Sequence, residues 1–170
     1  VMKEDGAALV GGHTGEGAEP AIAVAVQGEV EPERVLRKRL TRTGNRLILT
    51  KPIGTGVIFA ANMLAQANGK WVEAALSSMG QSNRIALDVI RSFDVAGCTD
   101  VTGFGLLGHA FEMMGGGSGA LGIAIDYRAI PLFDGVAELF AKGYAASLAE
   151  RNYQSLNPML DRGVTPRTHP

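Results

Sequence analysis

A chain of 170 residues with 46% hydrophobic side chains is long enough for one ordinary domain with its own core, which excludes wholesale disorder. Its 16 Lys and Arg against 17 Asp and Glu leave a net charge of −1, which gives no general electrostatic argument for nucleic acid or an anionic membrane. The single cysteine, Cys98, forbids an internal disulfide framework, no signal peptide is visible and the apolar runs break well before membrane-spanning length, so a soluble, cytoplasmic protein is expected.

Residues 2–9 read as the end of a helix, followed by a Gly11-Gly12 turn. Over 21–30, Ile22, Val24, Val26 and Val30 recur with small residues between them, the alternation of a half-buried strand. The charged stretch 31–45, bracketed by Pro32 and Gly44, predicts a linker, and a second module begins near Arg46. Arg34, Arg37, Lys38, Arg39, Arg42 and Arg46 form a basic cluster; without interleaved aromatics it reads as a solvated face rather than an RNA or phosphate surface. Residues 47–50 are a buried-strand candidate ended by Pro52, and Gly54-Thr55-Gly56 launches a helix through Val57, Ile58, Ala61, Leu64 and Ala65 that Asn68-Gly69 closes. Residues 71–93 read as one longer helix, with Val72, Ala75, Leu76, Met79, Ala86, Val89, Ile90 and Phe93 at spacings near three and four and a polar interruption at Gln81-Ser82-Asn83-Arg84. Further on, 106–114 is a helix ended by Gly115-Gly116-Gly117, 123–127 a strand and 134–142 a helix. Strands separated by helices imply an α/β or α+β domain.

The most informative stretch is 98–109, Cys-Thr-Asp-Val-Thr-Gly-Phe-Gly-Leu-Leu-Gly-His, where an acid and two hydroxyls run into a glycine-studded apolar segment. That order reads as a loop opening a helix. Asp100 is its only carboxylate, and Thr99, Thr102 and Gly103 stand where the helix would begin, so backbone N–H groups and a hard oxygen ligand converge, which suits a phosphate with its metal. Magnesium takes one or two protein carboxylates plus phosphate oxygens and water, so one Asp at the mouth of a glycine loop suffices as part of a site. The same residues would serve as the N-cap of a closely packed small-residue helix. His109, one turn beyond Gly105, either faces that site or acts as a core or capping histidine.

Lys51 and Gly54-Thr55-Gly56 do not make a P-loop, because the lysine precedes the glycines and no Gly-Lys-Thr follows; a structural strand-to-helix turn is the better account. No two-histidine helical pair or Cys-x-x-Cys is present, which disfavours structural zinc, and His169 is expected to be exposed.

The string over 99–109 resembles the signature of the selenophosphate synthetases (selenide, water dikinases). Leu-Val-Gly-Gly-His-Thr at 9–14 is similar to the family's Gly-Gly-His turn, and Leu-Thr-Lys-Pro-Ile-Gly-Thr-Gly-Val at 49–57 to its Leu-Thr-Lys-Pro-Leu-Gly-Thr-Gly segment. Arg151-Asn152, after the Gly143-Tyr144 turn, is similar to the Arg-Asn that follows the family's substrate-proximal helix. The resemblance covers nearly all of the chain but not the whole family protein. The family's catalytic Cys or selenocysteine, a nearby Lys and two further metal-binding Asp residues would precede Val1, and a downstream Asp-Pro-Gln-Thr-Ser-Gly-Gly segment is not matched. The chain is therefore expected to be a middle piece, inactive alone, in which Cys98 belongs to the metal-loop motif and does not take the nucleophile's role.

The resemblance implies an α+β fold of the aminoimidazole ribonucleotide synthetase type in two modules. Residues 1–30 would end an N-terminal ATP-binding and dimerisation module whose strands form a barrel across a dimer, 31–45 would be a linker, and 46–170 an incomplete C-terminal sheet-and-helix module. Away from its strand partners, 21–30 would expose an edge. The implied reaction is ATP-dependent formation of selenophosphate from selenide, releasing AMP and orthophosphate, with Mg2+, in a homodimer, for selenocysteine and selenouridine synthesis. Residue by residue, the resemblance carries the metal ligand onto Asp100, ATP contact across the dimer onto Gly11, Gly12 and His13, and backbone or supporting roles at the nucleotide onto Thr99, Thr102 and Gly103. Two alternatives stay open. One is another ATP-using relative of the same fold (aminoimidazole ribonucleotide synthetase, thiamine monophosphate kinase or hydrogenase maturation type), against which Phe104 and the Leu-Leu-Gly-His ending count; the other is a non-catalytic interaction fragment.

Overall fold

The computed structural model describes residue 2 and residues 5–39, 42–116 and 121–160. Six α-helices fall among them: α1 (Thr55–Met63), α2 (Gly69–Gly80), α3 (Arg84–Ile90), α4 (Gly105–Met113), α5 (Val136–Ala141) and α6 (Ala149–Leu156). Single 3₁₀ turns lie at Pro32–Arg34, Tyr127–Ala129 and Asn157–Met159.

Helices α1 and α5 start side by side. Ile53 and Leu132 form an isolated parallel bridge, in which the Ile53 N–H donates to Pro131 O at 3.0 Å and the Phe133 N–H to Ile53 O at 3.1 Å. Immediately beyond it, Gly54 (φ +113°) leads into α1 and Gly135 (φ +79°) into α5, both in the left-handed region that glycine enters without a Cβ clash. Close approach also demands glycine here: a Cβ on Gly54 would sit 2.5 Å from Val136 Cγ2, and one on Gly135 would overlap the Trp71 ring. Brought together this way, α1 packs on both α2 and α5. The core comprises Ile58 and Ala61 from α1, Ala75 from α2, and Val136 and Leu139 from α5, with Val57, Phe59, Trp71, Val72, Phe133 and Tyr144 around it. Ile58 and Leu139 are fully buried, and each such burial contributes about 1.5–3 kcal/mol.

Lys51 braces this unit from its edge. Its ammonium donates to Ser78 O at 3.0 Å and Gln81 O at 2.5 Å, at the end of α2, where the last carbonyls lack intrahelical partners and the helix dipole favours a cation. The Lys51–Gly56 segment leads into α1, the helix side of the strand-to-helix turn expected, with its lysine engaged and no strand ahead of it among the described residues.

Beyond Arg46 the helices differ from expectation in three places. The single helix expected over 71–93 is two, α2 and α3, parted where the polar interruption falls; Gln81 is extended (φ −80°, ψ 123°) and releases the chain from α2. Asn68 does not close α1 but starts α2, its side chain accepting from the Lys70 N–H at 2.9 Å, while α1 stops at Met63 and Ala65 turns to φ +55°. Helix α6 lies outside the elements expected; it packs on α4, and Ala149, Asn152 and Leu156, at i, i+3 and i+7, are its half-buried residues.

The sheet of the α+β expectation is not formed among the described residues, where the Ile53–Leu132 bridge is the extent of strand pairing. A strand is stable only when its N–H and C=O groups meet those of a neighbour. The strand expected over 21–30 instead runs irregular and exposed, with Ile22 93% and Val26 85% accessible and no described backbone paired to it. The strands expected at 47–50 and 123–127 line a cleft of about 620 Å³, through Leu47, Leu49, Ile123 and Ile125, without joining across it. At Tyr127 the second of them coils into a 3₁₀ turn, because Asp126 Oδ1 accepts from the Arg128 N–H at 3.0 Å. Of the helix end expected within 2–9, residues 3 and 4 lie outside the described residues; Asp5 and Gly6 are in a turn, and the Ala7 N–H donates to Met2 O at 2.9 Å. Gly117 and His169 lie outside the described residues.

Candidate functional site

The helix expected over 106–114 is α4, one residue earlier at each end. Helix α4 begins at Gly105 (φ +73°) with Phe104 before it, so Thr99, Thr102 and Gly103 precede the first turn, and no side chain caps that end. The loop is held by side chains from elsewhere. The Thr102 N–H donates to His109 Nε2 at 3.0 Å, and Thr102 Oγ1 lies 3.0 Å from the same nitrogen. From α6, Asn152 Nδ2 donates to Gly103 O at 2.8 Å. At the loop's start, the Cys98 N–H donates to Arg37 O at 2.9 Å. A Cβ on Gly103 would stand 3.2 Å from Leu148 Cδ1, so a larger residue there would have to shift the end of that leucine, just ahead of α6.

His109 is buried, and its hydrogen bonds decide its tautomer. Accepting an N–H on Nε2 requires a lone pair there, which places the ring proton of the neutral imidazole on Nδ1. Nδ1 lies 3.3 Å from Glu112 Oε2, near enough for electrostatic attraction but outside hydrogen-bond geometry, and so has no hydrogen-bond partner. Phe104 meets the imidazole edge-on, with ring centroids 6.0 Å apart. Glu112 in turn accepts from Lys38 Nζ at 3.1 Å on its other oxygen, and that hydrogen bond and charge hold its carboxyl below the ordinary glutamate range. His109 is buried, as a core histidine would be, and it turns back from α4 onto the Asp100 loop, where it holds Thr102.

Asp100 is exposed and has no hydrogen bond or ion pair with another described residue. Thr99 is half-buried, and Thr102 and Gly103 are exposed beside Asp100 in the loop. Gly11, Gly12 and His13 are not brought to this loop by any hydrogen bond among the described residues; they are exposed in an irregular segment, and a Cβ on either glycine would meet nothing within 4 Å. Among the described residues no three His, Cys, Asp or Glu side chains gather where they could hold a metal ion. Of the basic cluster, Lys38 pairs with Glu112 and Arg42 Nη2 with Asp94 Oδ2 at 2.9 Å, as exposed pairs do on a solvated face. Cys98 is a half-buried free thiol. No helix among the described residues is long and apolar enough to cross a membrane. The hold of Asn152 on the loop was missed in the sequence, although Arg151-Asn152 stood out there as part of the resemblance.

Residues 42–151 match the family described as AIR synthase related protein, C-terminal domain. The chain is 41% identical over 159 residues to a protein of Geobacter metallireducens named selenide, water dikinase, covering 94% of this chain and 46% of that protein. It is 39% identical over 166 residues to one of the same name from Desulfitobacterium hafniense, covering 97% and 48%, and 37% over 160 residues to one from Treponema denticola, covering 93% and 45%. The chain spans about half the length of the curated relatives it matches. By the match of 42–151 and by these likenesses, which run through the Asp100 loop and the helices that hold it, the chain belongs to the AIR synthase related family, among relatives named selenide, water dikinase.

Proposed function

We propose that this chain is part of an ATP-dependent selenophosphate synthetase, in which selenide, ATP and water give selenophosphate, AMP and orthophosphate for selenocysteine and selenouridine synthesis. The observation that carries the reading is the Asp100 loop in its full sequence, 99–109, in a chain about 40% identical to selenide, water dikinases over nearly its whole length. In this reading 1–30 ends an ATP-binding and dimerisation module, 31–45 links it onward, 46–170 belongs to the C-terminal module, and the protein works as a cytoplasmic homodimer.

The residues present fit a magnesium ion in part. Asp100 supplies a hard, exposed carboxylate with no competing partner among the described residues, and Mg2+ takes few protein ligands when phosphates and water complete its shell. When bound, the ion supplies charge neutralisation to the polyphosphate, which is most of what phosphoryl transfer asks of its surroundings. Asp100 would hold it, Thr99 and Gly103 would offer a hydroxyl and backbone beside it, and Thr102, whose N–H and hydroxyl both meet His109, would shape the loop. Gly11, Gly12 and His13 would meet ATP held by a second subunit, a reading supported by their exposure in one chain.

Thermal melting with and without MgATP tests the reading. Mg2+ and ATP together are expected to raise the melting temperature by several degrees at saturation, and Asp100→Asn to abolish the rise while leaving the unliganded melting temperature in place. A rise that survives Asp100→Asn would remove the assignment.

A further inference from the structure

His109 and Asn152 grip the loop from two helices at neighbouring backbone groups. His109, 6% exposed, takes the Thr102 N–H on Nε2, and Asn152 gives an N–H to Gly103 O. With the Cys98 N–H fixed on Arg37 O, both ends of the 99–101 stretch are anchored, and Asp100 sits between the anchors with its own carboxylate uncommitted. An acid on an unanchored loop would lose conformational freedom on meeting a cation, and fixing the peptides beside it removes part of that cost beforehand. From this arrangement we infer that His109 and Asn152 are positioning residues, which set the Asp100 carboxylate for a magnesium–nucleotide complex without touching it. The inference rests on the reading of Asp100 as a metal ligand.

The chemistry of the two side chains is specific. At 109 the loop needs an acceptor, and the histidine meets that need only with its proton on Nδ1, the nitrogen that faces Glu112 Oε2 at 3.3 Å. Glu112 is itself held by Lys38, so a negative charge fixed by a lysine of the 31–45 stretch lies on the Nδ1 side of the ring. A glutamine at 109 keeps an acceptor oxygen on an amide that can also donate; a leucine keeps volume alone. At 152 the loop needs a donor, which leucine removes at similar size.

The test is a magnesium titration of the melting temperature at fixed ATP, on the 170-residue chain and on Asp100→Asn, His109→Leu, His109→Gln and Asn152→Leu, with nitrogen NMR of the His109 ring at neutral pH. The Mg2+ concentration at the midpoint is expected to rise about 10-fold in His109→Leu and in Asn152→Leu, the effect of having to order about one residue of backbone on binding. His109→Gln is expected to recover most of it, and the ring to show Nδ1 protonated with Nε2 bare. Folded His109→Leu and Asn152→Leu proteins that keep the wild-type midpoint while Asp100→Asn loses its response would overturn the positioning role alone. If Asp100→Asn also responds as wild type does, the metal-ligand reading falls and this inference with it. Should His109→Leu fail to fold, Asn152→Leu and the ring tautomer decide: a wild-type midpoint in the first, or a proton on Nε2 in the second, overturns the proposal.

Discussion

Glu112 faces two partners, Lys38 from the charged stretch before the second module and His109 from its own helix. The Lys38 hydrogen bond and charge hold its carboxyl below the ordinary glutamate value of 4.5, against a smaller opposing effect of desolvation. A carboxyl depressed in the folded state contributes stability above its unfolded value and loses that contribution as the pH falls through the folded one. Lys38→Met is therefore expected to lower the melting temperature slightly at neutral pH, by the small amount an exposed pair contributes, and to melt with wild type in strong acid. Melting curves from neutral pH down to about 3 check this, and a constant gap across that range would show that Lys38 acts by packing rather than by charge. Asp100 stood out in the sequence because an acid beside a glycine string is local information. What His109 and Asn152 do was less legible, since the first depends on how α4 turns back and the second on a helix whose contact lies far along the chain.

Helices α1 and α5 owe their side-by-side start to two glycines, and one of them leaves almost no tolerance. Gly135 combines φ +79° with a Cβ position occupied by the Trp71 ring, so Gly135→Ala adds left-handed strain to an overlap within the core. A loss of about 2–4 kcal/mol is expected, from overpacking and left-handed backbone together. Gly69→Ala is the counterpart: the position opens α2, meets nothing within 4 Å, and is expected to be neutral or to gain up to about 1 kcal/mol. Chemical denaturation of the two variants against wild type measures both. The glycines were legible as punctuation, which is why α1, α4 and α5 were located to within two or three residues. The break at Gln81 and the capping role of Asn68 were harder, because an apolar period continues through α2 into α3 and conceals a change of direction that only the backbone shows. Helix α6 escaped because its sequence, Ala-Glu-Arg-Asn-Tyr-Gln-Ser-Leu, buries only a narrow face.

At the scale of the whole molecule, the helical body and the stretch ahead of it are held by very different numbers of interactions. Alternation over 21–30 was plain in the sequence, yet a period of two states only which side chains share a face; a ladder needs a second backbone, which no described residue provides. Leu9, Val10, Ile22, Val24 and Val26 consequently face solvent, and a hydrogen bond of 2.7 Å from Ser82 Oγ to Asp5 Oδ1 ties the stretch to α3's approach. Backbone that is exposed and unpaired opens to a protease at little free-energy cost, whereas cutting within α1, α2 or α5 requires the core around Ile58 and Leu139 to open first. Thermolysin, which cleaves beside large apolar residues, is therefore expected to cut within 5–30 at low protein concentration and to leave a fragment containing 51–160 that melts as the intact chain does. Mass spectrometry of the early digest reads the sites. Protection of 5–30 that grows with protein concentration would mean that a second copy covers those apolar residues, the outcome expected of the proposed homodimer. Early cuts inside α1 or α5 would show instead that the core around Ile58 does not close the body against the protease.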